Sequence, residues 1–235
     1  MLRSTFTAMA LSLLVAQPGS AATVFATDFD GSLPAEIAPG TALLTGVQGY
    51  ASLGPVGNQF GGNFLRSIPA NTITLTLSGL PQHDSLSLAF LFAAIDSLDG
   101  TGNFPSGDFF VVSVDGVEIF NESFANALLS QVQSYVPPPG GELARHVDLG
   151  FSGPGSFYTD SAYDMSVDPA FANIAHTAST VTITFLMQGP GNQSLDDESW
   201  AIDNLRVIAN AVPEPAALAL FASAGVALLA RKRRA

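Results

Sequence analysis

Asp203 is the residue whose surroundings most demand chemistry. If residues 199–207 are extended, Trp200, Ile202, Asn204 and Arg206 share one face, and Ala201, Asp203, Leu205 and Val207 share the other. A carboxylate that points the way Leu205 and Val207 point is turned inward, and a buried carboxylate has to be paired, metal-bound or protonated. Two readings of Asp203 stay open: a cation ligand, or an acceptor for backbone amides of a neighbouring loop. Other acids gather around loops. Asp96, Asp99 and Asp108 surround a glycine-rich segment, and Asp196-Asp197-Glu198 form a run. Neither group has the spacing of an EF-hand, and acids of this kind read as solvated loop residues that keep the chain soluble.

Signatures of catalysis are sparse. There is no Gly-x-Ser-x-Gly elbow, no His-Glu-x-x-His and no phosphate loop. His83, His146 and His176 are scattered singles that form no recognisable motif with a carboxylate or serine in sequence. A carboxylate pair at the ~5–10 Å spacing of a glycosidase carries no signal here, because so many acids always place some pair at that distance. Trp200 is the only tryptophan. It could stack on a sugar ring, but a lone tryptophan opening a strand reads as core.

Composition removes whole classes of function. The 235 residues hold 8 Lys+Arg against 20 Asp+Glu, for a formal charge of −12, so binding to nucleic acid through counterion release is excluded. Zero cysteines exclude disulfides, thiolate zinc sites, iron–sulfur ligation and a cysteine nucleophile. With 47% hydrophobic residues and 17 Phe there is ample material for a core, so disorder is excluded too. The charge is uneven. All the acids except Glu214 lie in residues 23–211, where the only basic side chains are Arg66, Arg145 and Arg206.

The two ends read as addresses. Arg3, the apolar run 8–16, then Pro18, Gly19 and the small residues Ser20, Ala21 and Ala22 follow the order of a secretory signal peptide, cleaved after Ala22. Such a leader implies the Sec export machinery as a partner. At the other end come Pro213, Glu214 and Pro215, then the apolar run 216–230, then Arg231-Lys232-Arg233-Arg234. This three-part tail resembles the PEP-CTERM sorting signal of Gram-negative bacteria. The resemblance implies an exosortase as partner, cleavage near the motif, and delivery to the cell surface or the extracellular polysaccharide matrix. A helix over 216–230 covers about 22 Å at ~1.5 Å per residue, short of a ~30 Å hydrocarbon core, which suits transient anchoring in the inner membrane. The basic cluster keeps its end cytoplasmic and the acidic body outside. The rival is a tail-anchored protein that keeps this helix.

Between the addresses, period-two alternation predicts half-buried strands. Residues 71–77 put Ile73, Leu75 and Leu77 on one face, and residues 180–187 do the same with Val181, Ile183 and Phe185. Residues 108–114, Asp115-Gly116 and residues 117–120 read as a hairpin on a type I′ turn. Residues 85–95 become continuously apolar, as in a central strand covered on both faces. Gly- and Pro-rich connections, including Pro137-Pro138-Pro139-Gly140-Gly141, exclude long helices. A short surface helix is expected over 123–132, where Phe124, Leu128 and Val132 have helical spacing. No internal repeat is visible, so the expectation is an all-β chain: a signal peptide (1–22), one antiparallel β-sandwich of jelly-roll type (23–211), and a C-terminal hydrophobic sorting helix within 212–235.

Phe29-Asp30-Gly31 near the start and Ile202-Asp203-Asn204-Leu205 near the end resemble the opening and closing elements of carbohydrate-binding and MAM-like jelly rolls. In those modules the closing acid ligates a structural calcium that ties the first strand to the last. The resemblance therefore implies Ca²⁺ held by Asp30 and Asp203, with Asp28 as the other candidate and the region of Gly31 supplying carbonyl oxygens. Calcium takes six to eight oxygens, which suits a chain rich in Asp and Gly and poor in His. The function expected is that of an exported, non-enzymatic surface or matrix protein associated with exopolysaccharide. The alternatives are a secreted polysaccharide-active hydrolase or lyase on the same fold, and a module that adheres to protein partners, because fold does not separate these.

Overall fold

The computed structural model describes residues 21–101, 107–151, 158–190 and 193–210. Almost all of the expected leader, and the whole expected sorting tail with Pro213, Glu214 and Pro215, lie outside the described residues. Among the described residues no helix is long and apolar enough to cross a membrane.

The described strands are β1 (Ala22–Thr27), β2 (Ile37–Ala38), β3 (Leu43–Gly46), β4 (Asn63–Ser67), β5 (Thr72–Ser78), β6 (Ser85–Asp96), β7 (Phe109–Val114), β8 (Val117–Ser123), β9 (Glu142–Val147), β10 (Asp160–Asp164), β11 (Ile174–Ala175), β12 (Thr180–Gln188) and β13 (Glu198–Asn210). Three single-turn 3-10 helices are the only helical elements among them. The strands form two antiparallel sheets. One runs β2-β5-β12-β7-β8; the other runs β3-β4-β13-β6-β10-β9, with β1 also on β13 and β11 also on β6. The protein is an all-β sandwich.

Alternation dictates which side chains fill it. On β5 and β12, Ile73, Leu75, Leu77, Val181, Ile183, Phe185 and Met187 point into the space between the sheets, where they meet Phe90, Phe92, Phe110, Trp200 and Ile202. The threonines between them face outward and pair in register, Thr182 with Thr76 and Thr184 with Thr74. Trp200 is fully buried in this core and its Nε1 donates to the Ile68 carbonyl at 3.1 Å, so it offers no ring to a sugar. β6 is apolar on both faces because a second cluster of Val47, Tyr50, Phe60, Phe64, Leu149 and Phe151 covers the outer side of its sheet, over Leu91, Ala93 and Ile95. Asp115 (φ 50°) and Gly116 (φ 79°) both take the left-handed region that a type I′ turn requires, and they close the β7–β8 hairpin.

Two expectations are corrected. Residues 123–132 are not helical. Asn126 N–H donates to the Leu98 carbonyl and Tyr135 N–H to the Ser123 carbonyl, so these amides bond away from an i→i−4 ladder. Phe124 is buried, whereas Leu128 and Val132 are 55% and 63% exposed; the helical spacing does not correspond to one buried face. The second correction concerns the last strand. The pairing of β13 with β6 shifts between Asp203 and Arg206, and Asn204 sits at φ 51°, a β-bulge that inserts one residue. Trp200 and Ile202 therefore share the inter-sheet core with Leu205 and Val207, while Asp203 lies with Ala201 on the outer, covered face.

Candidate functional site

Although turned to the other face, Asp203 is buried as expected, with 1% of its surface exposed. The segment between β3 and β4 is laid over it. Gly61 N–H donates to Asp203 Oδ2 at 3.3 Å, Asn204 N–H donates to Oδ1 at 2.7 Å, and the Asn204 side chain donates to the Gln59 carbonyl at 2.8 Å. The same segment receives Asp30, whose Oδ1 accepts from Asn63 N–H at 2.8 Å. Gly62, at φ +47°, lies so close to the Asp30 carboxylate that a Cβ there would collide with it. Phe29, left-handed at φ 55° and fully buried, is the plug that presents Asp28 and Asp30 to solvent on either side. Asp28 Oδ1 accepts from Asp30 N–H at 3.2 Å, and Asp28 lines a shallow cleft with Ala26, Thr27, Asn204 and Arg206.

The structure thus brings Asp30 and Asp203 to one glycine-rich segment, with Asp28 beside Asp30 and facing the cleft that Asn204 and Arg206 line. Burial pushes the Asp203 carboxyl up to about 7; the amides of Asn204 and Gly61 oppose the shift, and the charges of Asp30 and Asp28 add to it. The amide-acceptor reading of Asp203 is realised. Each carboxylate oxygen that accepts one N–H keeps a second lone pair, so the bonds leave room for a cation. Among the described residues no three acidic or histidine side chains converge into a full ligand set, so a metal here would draw on backbone oxygens as well.

Of the acids expected to be solvated, only Asp196 is exposed and Asp197 half-buried; the other four are not. Asp96, Asp99, Asp108 and Glu198 are all buried: Asp96 meets Asp160 of β10 and is the register partner of Glu198 at one end of the eight-stranded sheet, and Asp99 and Glu198 both meet Asp108. The reason lies in the loop after β6, whose amides need acceptors. Asp108 accepts from the backbone of Asp99 and of Gly100. Asp99 accepts from Gln131. Glu198 accepts from Gln193 N–H at 3.1 Å and hydrogen-bonds Asp108 through its side chain. Burial, then the charge of Asp108, raises Glu198 well above the carboxylate range, so Glu198 keeps its proton and donates to Asp108. Asp160 accepts from Asp96 N–H at 3.0 Å and Leu149 N–H at 2.6 Å. What linked these residues is pairing across sheets and loops, which sequence spacing does not encode.

The histidines are not all single either. His83 Nε2 and His176 Nδ1 are 2.6 Å apart, with ring centroids at 4.9 Å and an interplanar angle of 13°. At that separation the two nitrogens lie on the line between nearly coplanar rings, an edge-to-edge hydrogen bond and not a face-to-face stack. The outer nitrogens face acceptors: Pro81 carbonyl at 2.6 Å from His83, and Asp115 Oδ2 at 3.1 Å and Thr180 carbonyl at 3.2 Å from His176. These bonds join the segment before β6, the segment before β12 and the β7–β8 turn. His146 stands apart on β9.

No protein-family model and no curated protein matches the chain. Among solved structures it is similar to a family GH115 4-O-methyl-alpha-glucuronidase with specificity for decorated arabinogalactans, at 11% identity and a TM-score of 0.36 over 84% of this chain and 19% of that one. It is similar also to the CBM22-1-CBM22-2 tandem domain of Paenibacillus barcinonensis Xyn10C, at 13% identity and a TM-score of 0.34 over 83% of this chain and 51% of that one. A third is the catalytic domain of a GH87 alpha-1,3-glucanase, at 15% identity and a TM-score of 0.33 over 83% of this chain and 28% of that one. The chain spans about half or less of each of these structures. Neither activity nor ligand follows from likenesses at this level.

Proposed function

We propose that the chain is an exported, non-enzymatic surface or matrix protein whose sandwich is of jelly-roll type, braced by Ca²⁺ and associated with extracellular polysaccharide. The observation that carries this reading is the meeting of Asp30, after the first strand, with Asp203, in the last, on the segment of residues 59–63, with Asp28 beside Asp30. Asp30 and Asp203 bind the ion, Asp28 and carbonyl oxygens complete it, and the ion clamps the segment after β1 and the strand β13 to one loop. Calcium added to chain stripped with EDTA raises the melting temperature, and Asp203→Asn abolishes the part of the rise that this site supplies. A wild-type chain indifferent to calcium overturns the brace. Release of reducing sugar from matrix polysaccharide by the pure protein overturns the non-enzymatic reading in favour of a hydrolase.

The sorting part of the proposal rests on the order Pro213-Glu214-Pro215, apolar run, basic cluster. In cells that encode an exosortase, intact-mass measurement of the exported chain shows loss of the residues beyond the motif, and Glu214→Ala retains them. Identical masses with and without the exosortase favour a tail-anchored protein.

A further inference from the structure

Asp96 ends β6 fully buried, and neither of its carboxylate oxygens meets a hydrogen-bond donor among the described residues. The other acids buried around it are satisfied, Asp160 and Asp108 by two backbone amides each and Asp99 by Gln131. The donors that surround Asp96 are spent elsewhere. Its own N–H goes to Asp160, the N–H and Oγ–H of Ser97 go to the Asp197 carbonyl at 3.0 and 2.7 Å, and Tyr50 O–H goes to the Ala94 carbonyl at 3.0 Å. Arg66, the one cation whose charge opposes the acids here, donates through Nε to Ser199 Oγ and through Nη2 to the Leu195 carbonyl, and its guanidinium lies 4.5 Å above the Phe151 ring. No ion pair joins Arg66 to Asp96.

A desolvated carboxylate without donors has to be matched by a proton or by a cation. The neighbours favour a cation. The charges acting on Asp96 are those of Asp160, Asp197 and Asp148, all negative, with Arg66 alone opposing them. The donor atoms on offer are oxygens only, with no sulfur or imidazole in the group, which selects a hard ion. Magnesium gives up its water reluctantly, so a buried protein-oxygen site belongs to calcium. We propose that the Asp96 and Asp160 carboxylates, at the end of the eight-stranded sheet, form the side-chain half of a calcium site, with carbonyl oxygens and water as the remaining ligands. Each Asp160 oxygen accepts one N–H and keeps a lone pair for the ion. Among the described residues no third acid or histidine converges on a common point, so the side chains supply two carboxylates at most.

This site is separate from the one at Asp203. Glu198 is the register partner of Asp96, and Asp203 lies five residues further along β13, about 16 Å away at ~3.3 Å per residue. Its consequence is structural. It ties the end of β6 to the start of β10, beside the 148–151 segment that covers the outer cluster.

Calorimetric titration of EDTA-stripped full chain with CaCl2 at pH 8 tests the proposal. The expected stoichiometry falls by one ion per chain in Asp96→Asn, which has nearly the same shape, and again by one when Asp203→Asn is added. Near-ultraviolet circular dichroism of Trp200 checks that the variant is folded; Asp160→Asn, which removes the second ligand, gives the same loss of one ion and serves if Asp96→Asn does not fold. One ion lost in Asp96→Asn but none in Asp203→Asn supports this site and overturns the calcium brace at Asp203. If Asp96→Asn and Asp160→Asn bind as many ions as wild type, Asp96 holds a proton and the proposal is overturned, whatever Asp203 does.

Discussion

Phe110→Ala is expected to lower the unfolding free energy by about 3–5 kcal/mol, the range for emptying a buried aromatic site. Phe110 is fully buried on β7 and its ring is the hub of the inter-sheet core, with ring centroids at 4.3 Å from Phe92, 5.2 Å from Trp200, 6.2 Å from Phe120 and 6.4 Å from Phe185. These partners come from both sheets, so no single element can move in to close the cavity. Edge-to-face and offset ring pairs also contribute beyond area alone. For a unit of this size the loss corresponds to a fall in melting temperature of roughly 10 °C. The control is Val117→Ala, on a side chain 66% exposed, which changes stability by less than about 0.5 kcal/mol. Urea unfolding followed by Trp200 fluorescence measures both. A Phe110→Ala cost below about 1 kcal/mol would mean that the two sheets do not close on each other at this point.

The sandwich itself was legible because its signal is local. Thr72, Thr74 and Thr76 alternate with Ile73, Leu75 and Leu77, and side chains alternate across a strand whatever lies around it. Asp115-Gly116 announced a turn for the same reason, since its backbone conformation depends on two residues. The long apolar stretch of β6 announced cover on both faces, though not the residues that provide it. Those come from the segments around Tyr50 and Phe151, which nothing in the local pattern of β6 could name.

Strict alternation failed at Asn204. One left-handed residue shifts the register and reverses every face beyond it. Asn is among the residues that take this conformation most readily, so a polar residue amid an inward-pointing run was the available signal. The helix expected over 123–132 failed for a different reason. Three apolar residues at helical spacing compete with tertiary hydrogen bonds, here Asn126 to Leu98 and Tyr135 to Ser123, and periodicity knows nothing of those. The same blindness hid the acids around Asp96 and the His83–His176 chain. His83 and His176 are distant in sequence, and only the pairing of β11 with β6 brings them together.

Stripped of divalent cations, the protein is expected to lose stability steadily as pH rises from about 5 to about 9, the opposite of the usual acid-labile domain. Burial first, and neighbouring acids after it, push Asp96 and Asp203 up to about 7; burial pushes Asp160 up to about 6. Their ordinary value is 3.8, so each binds its proton more tightly folded than unfolded. A group shifted in this direction contributes fully below its unfolded value, and the contribution disappears as pH climbs through its folded value. The loss from these three therefore begins near their ordinary value and is complete by about pH 6 to 7, and Glu198, which keeps its proton longest beside Asp108, extends it upward. Calcium reverses the sign. The ion needs these carboxylates ionised, so it competes with protons at pH 5 and binds unopposed at pH 8. Melting curves with and without calcium should nearly coincide at the acid end and separate progressively above neutrality. Metal-free stability that rises over this range would show the buried acids to be solvated or paired in a way the hydrogen bonds around them do not allow.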